Sequence, residues 1–217
     1  MLIKIKEPMS ALTHFIGAIL SLVAVTSLVM KAYYMENLLY MIAFGIFGVS
    51  LVLLYSASTI YHIVDKPKYW NLILKRIDHM MIFVLIAGTY TPICLIPLKG
   101  ASGSPVGIAV LVTVWSVAAL GIFLKIVWLN APRWIYTFQY ILMGWIAAFA
   151  IVPLFKSMNH QGFVWMVVGG VVYTLGGLIY ATKWPKFNIK GFGFHEVFHV
   201  FVLGGSVCHY LMILSIS

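Results

Sequence analysis

The chain alternates long apolar runs with short polar interruptions, and the runs are too long for a water-soluble fold. Crossing roughly 30 Å of hydrocarbon as a helix takes about 20 apolar residues. Seven segments qualify, at 10–33, 38–62, 77–98, 105–128, 133–155, 162–183 and 193–215. The interruptions carry turn and helix-stop chemistry: Glu36-Asn37, Asp65-Lys66-Pro67-Lys68, Lys99-Gly100 with Gly103 and Pro105, Asn130-Ala131-Pro132-Arg133, Asn159-His160, and Pro185-Lys186 through Gly191. The expected fold is all-α and integral to the membrane, a seven-transmembrane helix bundle. No linker-like stretch divides the 217 residues, so 1–217 reads as a single seven-transmembrane domain. The first run lacks a small-residue cleavage site, so it is expected to stay as a span.

Composition agrees with the pattern. The chain is 63% hydrophobic and 9% charged, whereas soluble domains are about half apolar and a quarter charged. A net charge of +9 could suggest nucleic acid, but the basic residues stand singly between apolar runs rather than on one stripe. No nucleic-acid partner is expected, and the charges read as topology. Lys4, Lys6, Lys66, Lys68, Lys75, Arg76, Lys125, Arg133, Lys183, Lys186 and Lys190 fall on one side of the spans, against Lys31, Lys99 and Lys156 on the other. This asymmetry predicts a cytoplasmic N-terminus, with Ser217 outside, in a multi-pass protein of the cell membrane. Trp70, Trp128, Trp134 and Trp184 then mark cytoplasmic span ends as an interfacial belt. Gly45 with Gly48, Gly169 with Gly170, Gly176 with Gly177 and Gly204 with Gly205 predict close helix packing in lipid. Cys94 and Cys208 lie inside apolar runs and read as buried free thiols.

Ionisable groups inside spans are costly and default to functional candidates. Ser58 and His62 share a face near the cytoplasmic end of the second span, Asp78 begins the third, and His195 and His199 share a face in the first turns of the seventh. A topology taken from Lys and Arg alone places His62, Asp78, His195 and His199 at similar depth in the inner leaflet. His62, His195 and His199 are a candidate zinc set, three neutral imidazoles that leave a fourth position open as catalytic zinc sites do. Asp78 is a candidate base or water-holding group, and Ser58 a candidate donor to a ligand or a developing oxyanion. His14 and Ser10 face the cytoplasmic half of the first span and could neighbour the site. His79, His160 and His209 are expected in structural or solvated roles. His195-Glu196-Val197-Phe198-His199 also reads as the H-E-x-x-H helix of zinc proteases, with Glu196 as base. No third-ligand motif of that class follows, and Glu196 is expected at the membrane boundary.

The combination Ser58-x-x-x-His62, Asp78 and His195-x-x-x-His199 resembles the signature of the progestin and adipoQ receptor family, part of a wider group that includes alkaline ceramidases. The stretches 7–14, 76–83, 87–92 and 194–199 resemble its bacterial branch, the hemolysin III proteins. That resemblance implies a seven-helix bundle with an inward N-terminus in a bacterial plasma membrane. It also implies zinc on His62, His195 and His199, with Asp78 touching it through water. About nine residues precede the first span, which leaves no room for the cytoplasmic domain of the eukaryotic receptors, so receptor signalling is not expected. The reading that follows is a zinc-dependent hydrolase of a lipid amide or ester, ceramidase-like, with membrane lipids as partners. The alternatives are a pore-forming hemolysin and a non-catalytic zinc-binding regulator of membrane composition.

Overall fold

The computed structural model describes residues 5–98, 105–128, 132–187, 189 and 191–216, and among them there is no β-strand. Lys4, Lys99, Gly100, Gly103, Asn130, Ala131, Lys190 and Ser217 lie outside the described residues, as does the Arg133 side chain. The helices are α1 (Pro8–Tyr34), α2 (Leu38–Ile63), α3 (Lys68–Leu95), α4 (Pro105–Val127), α5 (Arg133–Gly144), α6 (Ile151–Ser157), α7 (His160–Thr182) and α8 (Phe194–Leu214). A 3₁₀ segment, Trp145–Ala150, joins α5 to α6 without a loop.

Local sequence explains the starts. Pro8 occupies the first turn of α1, where a missing N–H costs nothing. Asn37 Oδ1 accepts from the N–H groups of Leu39 and Tyr40 (3.0 and 3.3 Å) to begin α2, and Asn159 Oδ1 accepts from Gly162 (2.7 Å) to begin α7. α3 begins before the apolar run that announces it. Its first turns mix Lys68, Asn71, Lys75 and Arg76 with Leu72, Ile73 and Leu74, and Asn71 Nδ2 ties them back to Lys66 O at 2.6 Å. Hydropathy senses only the apolar part of such a helix.

Among the described residues six helical stretches are long and apolar enough to cross a membrane: α1, α2, α4, Trp134–Ser157, α7 and α8. α3 has 28 residues and is not among them. Side-chain placement supports membrane residence independently of length. The inward face of α1 is Ser10, Ala11, His14, Gly17, Ser21, Ala24, Leu28 and Ala32, a helical stripe of mostly small or polar residues. Its outward face carries exposed Leu12, Phe15, Ile19, Leu22 and Val23. A soluble helix hides its large apolar side chains, whereas a helix in lipid packs through small ones and shows the large ones to acyl chains. This is a multi-pass, all-helical membrane bundle. Trp70, Trp128, Trp134 and Trp184 are all exposed.

Sequential helices pack on one another from α1 to α4, α7 packs on both α5 and α8, and α8 returns to α1. Phe44, Phe47, Phe83, Met143, Leu154 and Met212 are fully buried in the core. Not every glycine of the expected pairs serves this packing. A Cβ at Gly48 would strike Val25, at Gly169 the His209 ring and at Gly205 the Tyr173 ring, but Gly45 and Gly170 meet nothing within 4 Å. Cys94 and Cys208 are buried free thiols. Lys31 reaches the end of α8, its Nζ donating to Leu214 O and Ile216 O at 2.6 Å each, which satisfies carbonyls the helix end leaves open.

The fifth apolar segment, expected as one helix, changes pitch in its middle. Tyr90 of α3 explains it: its hydroxyl donates to Gly144 O (2.6 Å) and accepts from Ala147 N–H (2.8 Å), entering the backbone ladder at the 3₁₀ segment. Pro153 lacks the N–H that an unbroken α-helix would direct to Phe149 O.

Candidate metal centre

His62 lies on the last turn of α2, and His195 and His199 lie on the first two turns of α8. Packing of α8 and α2 around α1 brings them together: one ring nitrogen from each lies within 4.8 Å of the other two. The Nε2 atoms of His62 and His195 are 3.5 Å apart. His62 and His199 are buried, and His195 is partly buried. This set could hold a metal ion.

The start of α1 sets the orientation of two of the rings. The Glu7 carboxylate accepts from His62 Nδ1, a contact that holds the Glu7 carboxyl below the ordinary carboxylate range. Backbone N–H groups of Lys6 and Glu7 donate to Ile63 O (3.3 Å) and His62 O (3.0 Å), pinning this segment to the end of α2. Thr13 Oγ1 donates to Ser10 O (2.8 Å), which leaves its lone pairs toward His199 Nδ1 at 3.0 Å. Both contacts assign the proton to Nδ1 and the free lone pair to Nε2. Carboxylate or hydroxyl contacts of this kind orient metal-binding histidines. Neither Glu7 nor Thr13 was identified from sequence as a partner of the histidines. The available signal was the spacing Glu7, Ser10, His14, three and then four residues apart, which puts polar groups on one face of α1.

Glu196 is not placed as a protease base. It is buried rather than solvated, its Oε2 accepts from Gly193 N–H at 2.8 Å to cap α8, and its Oε1 accepts from the Ser10 hydroxyl. One oxygen caps α8 and the other ties it to α1.

Ser58, Asp78, His195 and His199 all line one cavity of about 300 Å³. His62 is behind this wall, its ring centroid 5.1 Å from that of His199. His79 and His209, expected in structural or solvated roles, are buried and also face the cavity. His79 Nδ1 donates to Lys75 O (2.7 Å) and lies 3.4 Å from Asp78 Oδ2, and His209 Nδ1 donates to Gly205 O (2.8 Å). His160 is exposed at the start of α7. The cavity runs along α8 from His195 to His209, a rise of about 21 Å at 1.5 Å per residue. Most of its wall is apolar, with aliphatic Leu54, Ile82, Ile86, Ile93 and Val202 beside aromatic Tyr90, Tyr140 and Tyr173.

A haemolysin-III-related family model matches residues 3–210. The chain belongs to this family. A relative from Bacillus subtilis (strain 168), the Hemolysin-3 homolog, is 40% identical over 96% of this chain and 93% of its own length. Hemolysin-3 of Bacillus cereus is 37% identical over 96% of this chain and 90% of its own. The human monocyte to macrophage differentiation factor is a more distant family relative, 27% identical over 77% of this chain and 67% of its own length. Shorter matches extend to adiponectin-receptor proteins.

Proposed function

We propose that this haemolysin-III-related protein is a zinc-dependent hydrolase of a lipid amide or ester, acting near the cytoplasmic headgroups of the plasma membrane. In this reading α3 is also a span, which gives a single domain of seven spans with the N-terminus inside. The observation that carries the reading is the junction of a three-histidine set with the end of a long, mostly apolar cavity. The donor chemistry fits zinc. Two nitrogens each about 2.0–2.1 Å from one zinc stand roughly 3.4 Å apart across a tetrahedral angle, and the Nε2 atoms of His62 and His195 are 3.5 Å apart.

When bound, zinc supplies Lewis acidity that makes water nucleophilic near neutral pH. The remaining work falls to the chain. His62, His195 and His199 hold the ion through Nε2, with Glu7 and Thr13 fixing two of the rings. An Asp78 carboxylate oxygen receives the proton of the attacking water and returns it to the leaving amine or alcohol. Ser58 Oγ donates to the scissile carbonyl oxygen as charge builds there. The apolar walls hold the acyl chain and exclude bulk water.

The name of the Bacillus cereus relative supports a second reading, a pore-forming cytolysin. A pore needs a polar path through the bundle, and the mainly apolar cavity wall argues against it. A zinc-binding regulator without turnover is the third reading. One pair of measurements separates them. Asp78→Asn keeps shape and should keep zinc, yet should slow hydrolysis of a lipid amide such as a ceramide about 10²- to 10⁴-fold. Dye leakage from protein-containing liposomes that persists in Asp78→Asn and after zinc chelation, with no hydrolysis of any amide or ester lipid, supports the pore. Zinc binding with neither turnover nor leakage supports the regulator.

A further inference from the structure

Away from the histidine set, the same end of the bundle gathers positive charge where α3, α4 and α5 meet. A Cβ at Gly107 of α4 would strike Cys94 and Leu98 of α3, and one at Gly121 would strike the Phe83 ring, so the two helices run antiparallel in close contact. Lys125 stands one turn beyond Gly121 on the same face of α4, and Lys75 and Arg76 lie about two turns before Phe83 on the facing side of α3. The three charges are near enough that Lys75 and Arg76 both repel Lys125. Lys125 is partly buried, and its Nζ sits over the ring of buried Tyr136, 3.6 Å from the centroid. The Tyr136 hydroxyl donates to Trp128 O at 3.1 Å, which ties the start of α5 to the end of α4 and fixes this corner.

The chain itself does not neutralise the corner. Among the described residues the ion pairs within 4.0 Å both use histidine, His62 with Glu7 and His79 with Asp78. Asp78 is the one carboxylate that attracts Lys125, and it offsets a single charge of the three. Holding like charges together costs free energy unless an anion joins them. Membrane topology needs basic residues at this end, and scattered ones such as Lys66 and Lys186 meet that need without converging. Trp128 and Trp134, both exposed, stand beside the corner and set it at headgroup depth. The phosphate present in quantity at that depth belongs to phospholipids, and a zwitterionic lipid brings its own cation and adds no net negative charge. We propose that Lys75, Arg76 and Lys125 form a headgroup site for a phospholipid of net negative charge, bound from the surrounding bilayer. Arg76 offers a fork to two phosphate oxygens, and the lysines add point charges. This site is separate from the cavity and does not depend on the hydrolase reading.

The test titrates purified full-length protein with ether-linked phosphatidylglycerol, or with phosphatidylcholine of the same chains, and reads lipid-bound protein by native mass spectrometry. Ether linkages keep hydrolysis out of the measurement. A hydrogen bond to a charged group is worth about a factor of ten or more, so phosphatidylglycerol should bind at least about tenfold more tightly than phosphatidylcholine. Arg76→Gln and Lys125→Gln should each weaken phosphatidylglycerol about tenfold and leave phosphatidylcholine unchanged. Lys75→Gln alters an exposed side chain, and it supplies the answer if Lys125→Gln fails to fold. Lys186→Gln removes one charge from the same end of the bundle outside the corner, and it should leave affinity within about twofold. Excess sn-glycerol 3-phosphate, a headgroup without chains, should not displace the lipid. Equal affinity for the two lipids would overturn the site. So would a loss in Lys186→Gln as large as in Arg76→Gln, which would mean diffuse surface charge, or displacement by glycerol phosphate at lipid-like concentrations, which would mean a soluble phosphate ligand.

Discussion

Two stretches of similar apolar character behave differently in this bundle. α2 is an unbroken helix with 44% of its most apolar window buried, and it delivers His62 and Ser58. Trp134–Ser157 has 17% buried and changes to 3₁₀ geometry where Tyr90 enters its backbone. All three clustered histidines come from α2 and α8, which pack on α1, whereas the fifth stretch contributes only cavity wall. Ligand groups need positions fixed to a fraction of an ångström, which favours well-packed elements. A wall that admits a lipid has the opposite need, and segments with few buried contacts open at the least free-energy cost. The contrast is testable, because disturbing the first region should alter metal binding and disturbing the second should not.

The largest expected effect is on the histidines themselves. His62→Ala, His195→Ala and His199→Ala should each remove most bound zinc, while His160→Ala and His209→Ala should leave it intact, as read by metal analysis of purified folded protein. Stoichiometric zinc in a folded His195→Ala protein would defeat the assignment. Next comes the segment that orients the rings. Glu7→Gln and Thr13→Val should weaken zinc affinity about 10- to 100-fold, the usual cost of losing a partner that holds a metal-binding histidine. Competition with a chelator of known affinity gives the number, and unchanged affinity in both would mean that α1 only packs against the site.

Much of this was legible in the sequence because membrane helices announce themselves by length, and a polar residue within them stands out. His62, Asp78, His195 and His199 were readable as one group from span order and depth alone; Asp78, His195 and His199 line one cavity, and His62 lies beside the other two histidines. The role of Glu196 was not readable. The H-E-x-x-H spacing is shared by a protease helix; one carboxylate oxygen is taken by the local cap at Gly193, and the packing of α1 on α8 brings Ser10 to the other. The break in the fifth stretch was equally hidden. Pro153 hints at it, but the inserted group comes from Tyr90, more than fifty residues earlier in the chain. Contacts made across the sequence by a single hydroxyl leave no periodic trace.

That hydroxyl provides the mildest and most local test. Tyr90→Phe keeps the buried ring and removes the oxygen that bonds Gly144 O and Ala147 N–H. Two outcomes are physically open to the wall. If the 3₁₀ segment persists, two backbone groups lose their partner, and the variant should be less stable by about 1–3 kcal/mol. If it relaxes toward a continuous helix, the backbone regains its own partners and much of that loss is recovered, although Pro153 still denies Phe149 O one donor. Hydrogen exchange separates these outcomes: amides over 144–150 should exchange faster in the first case and more slowly in the second. In either case zinc affinity should stay within about twofold, because sites without shared partners act nearly independently. A large loss of zinc in a folded Tyr90→Phe protein would show that the fifth stretch and the histidine set are coupled, and the division between a fixed metal region and a yielding wall would then be wrong.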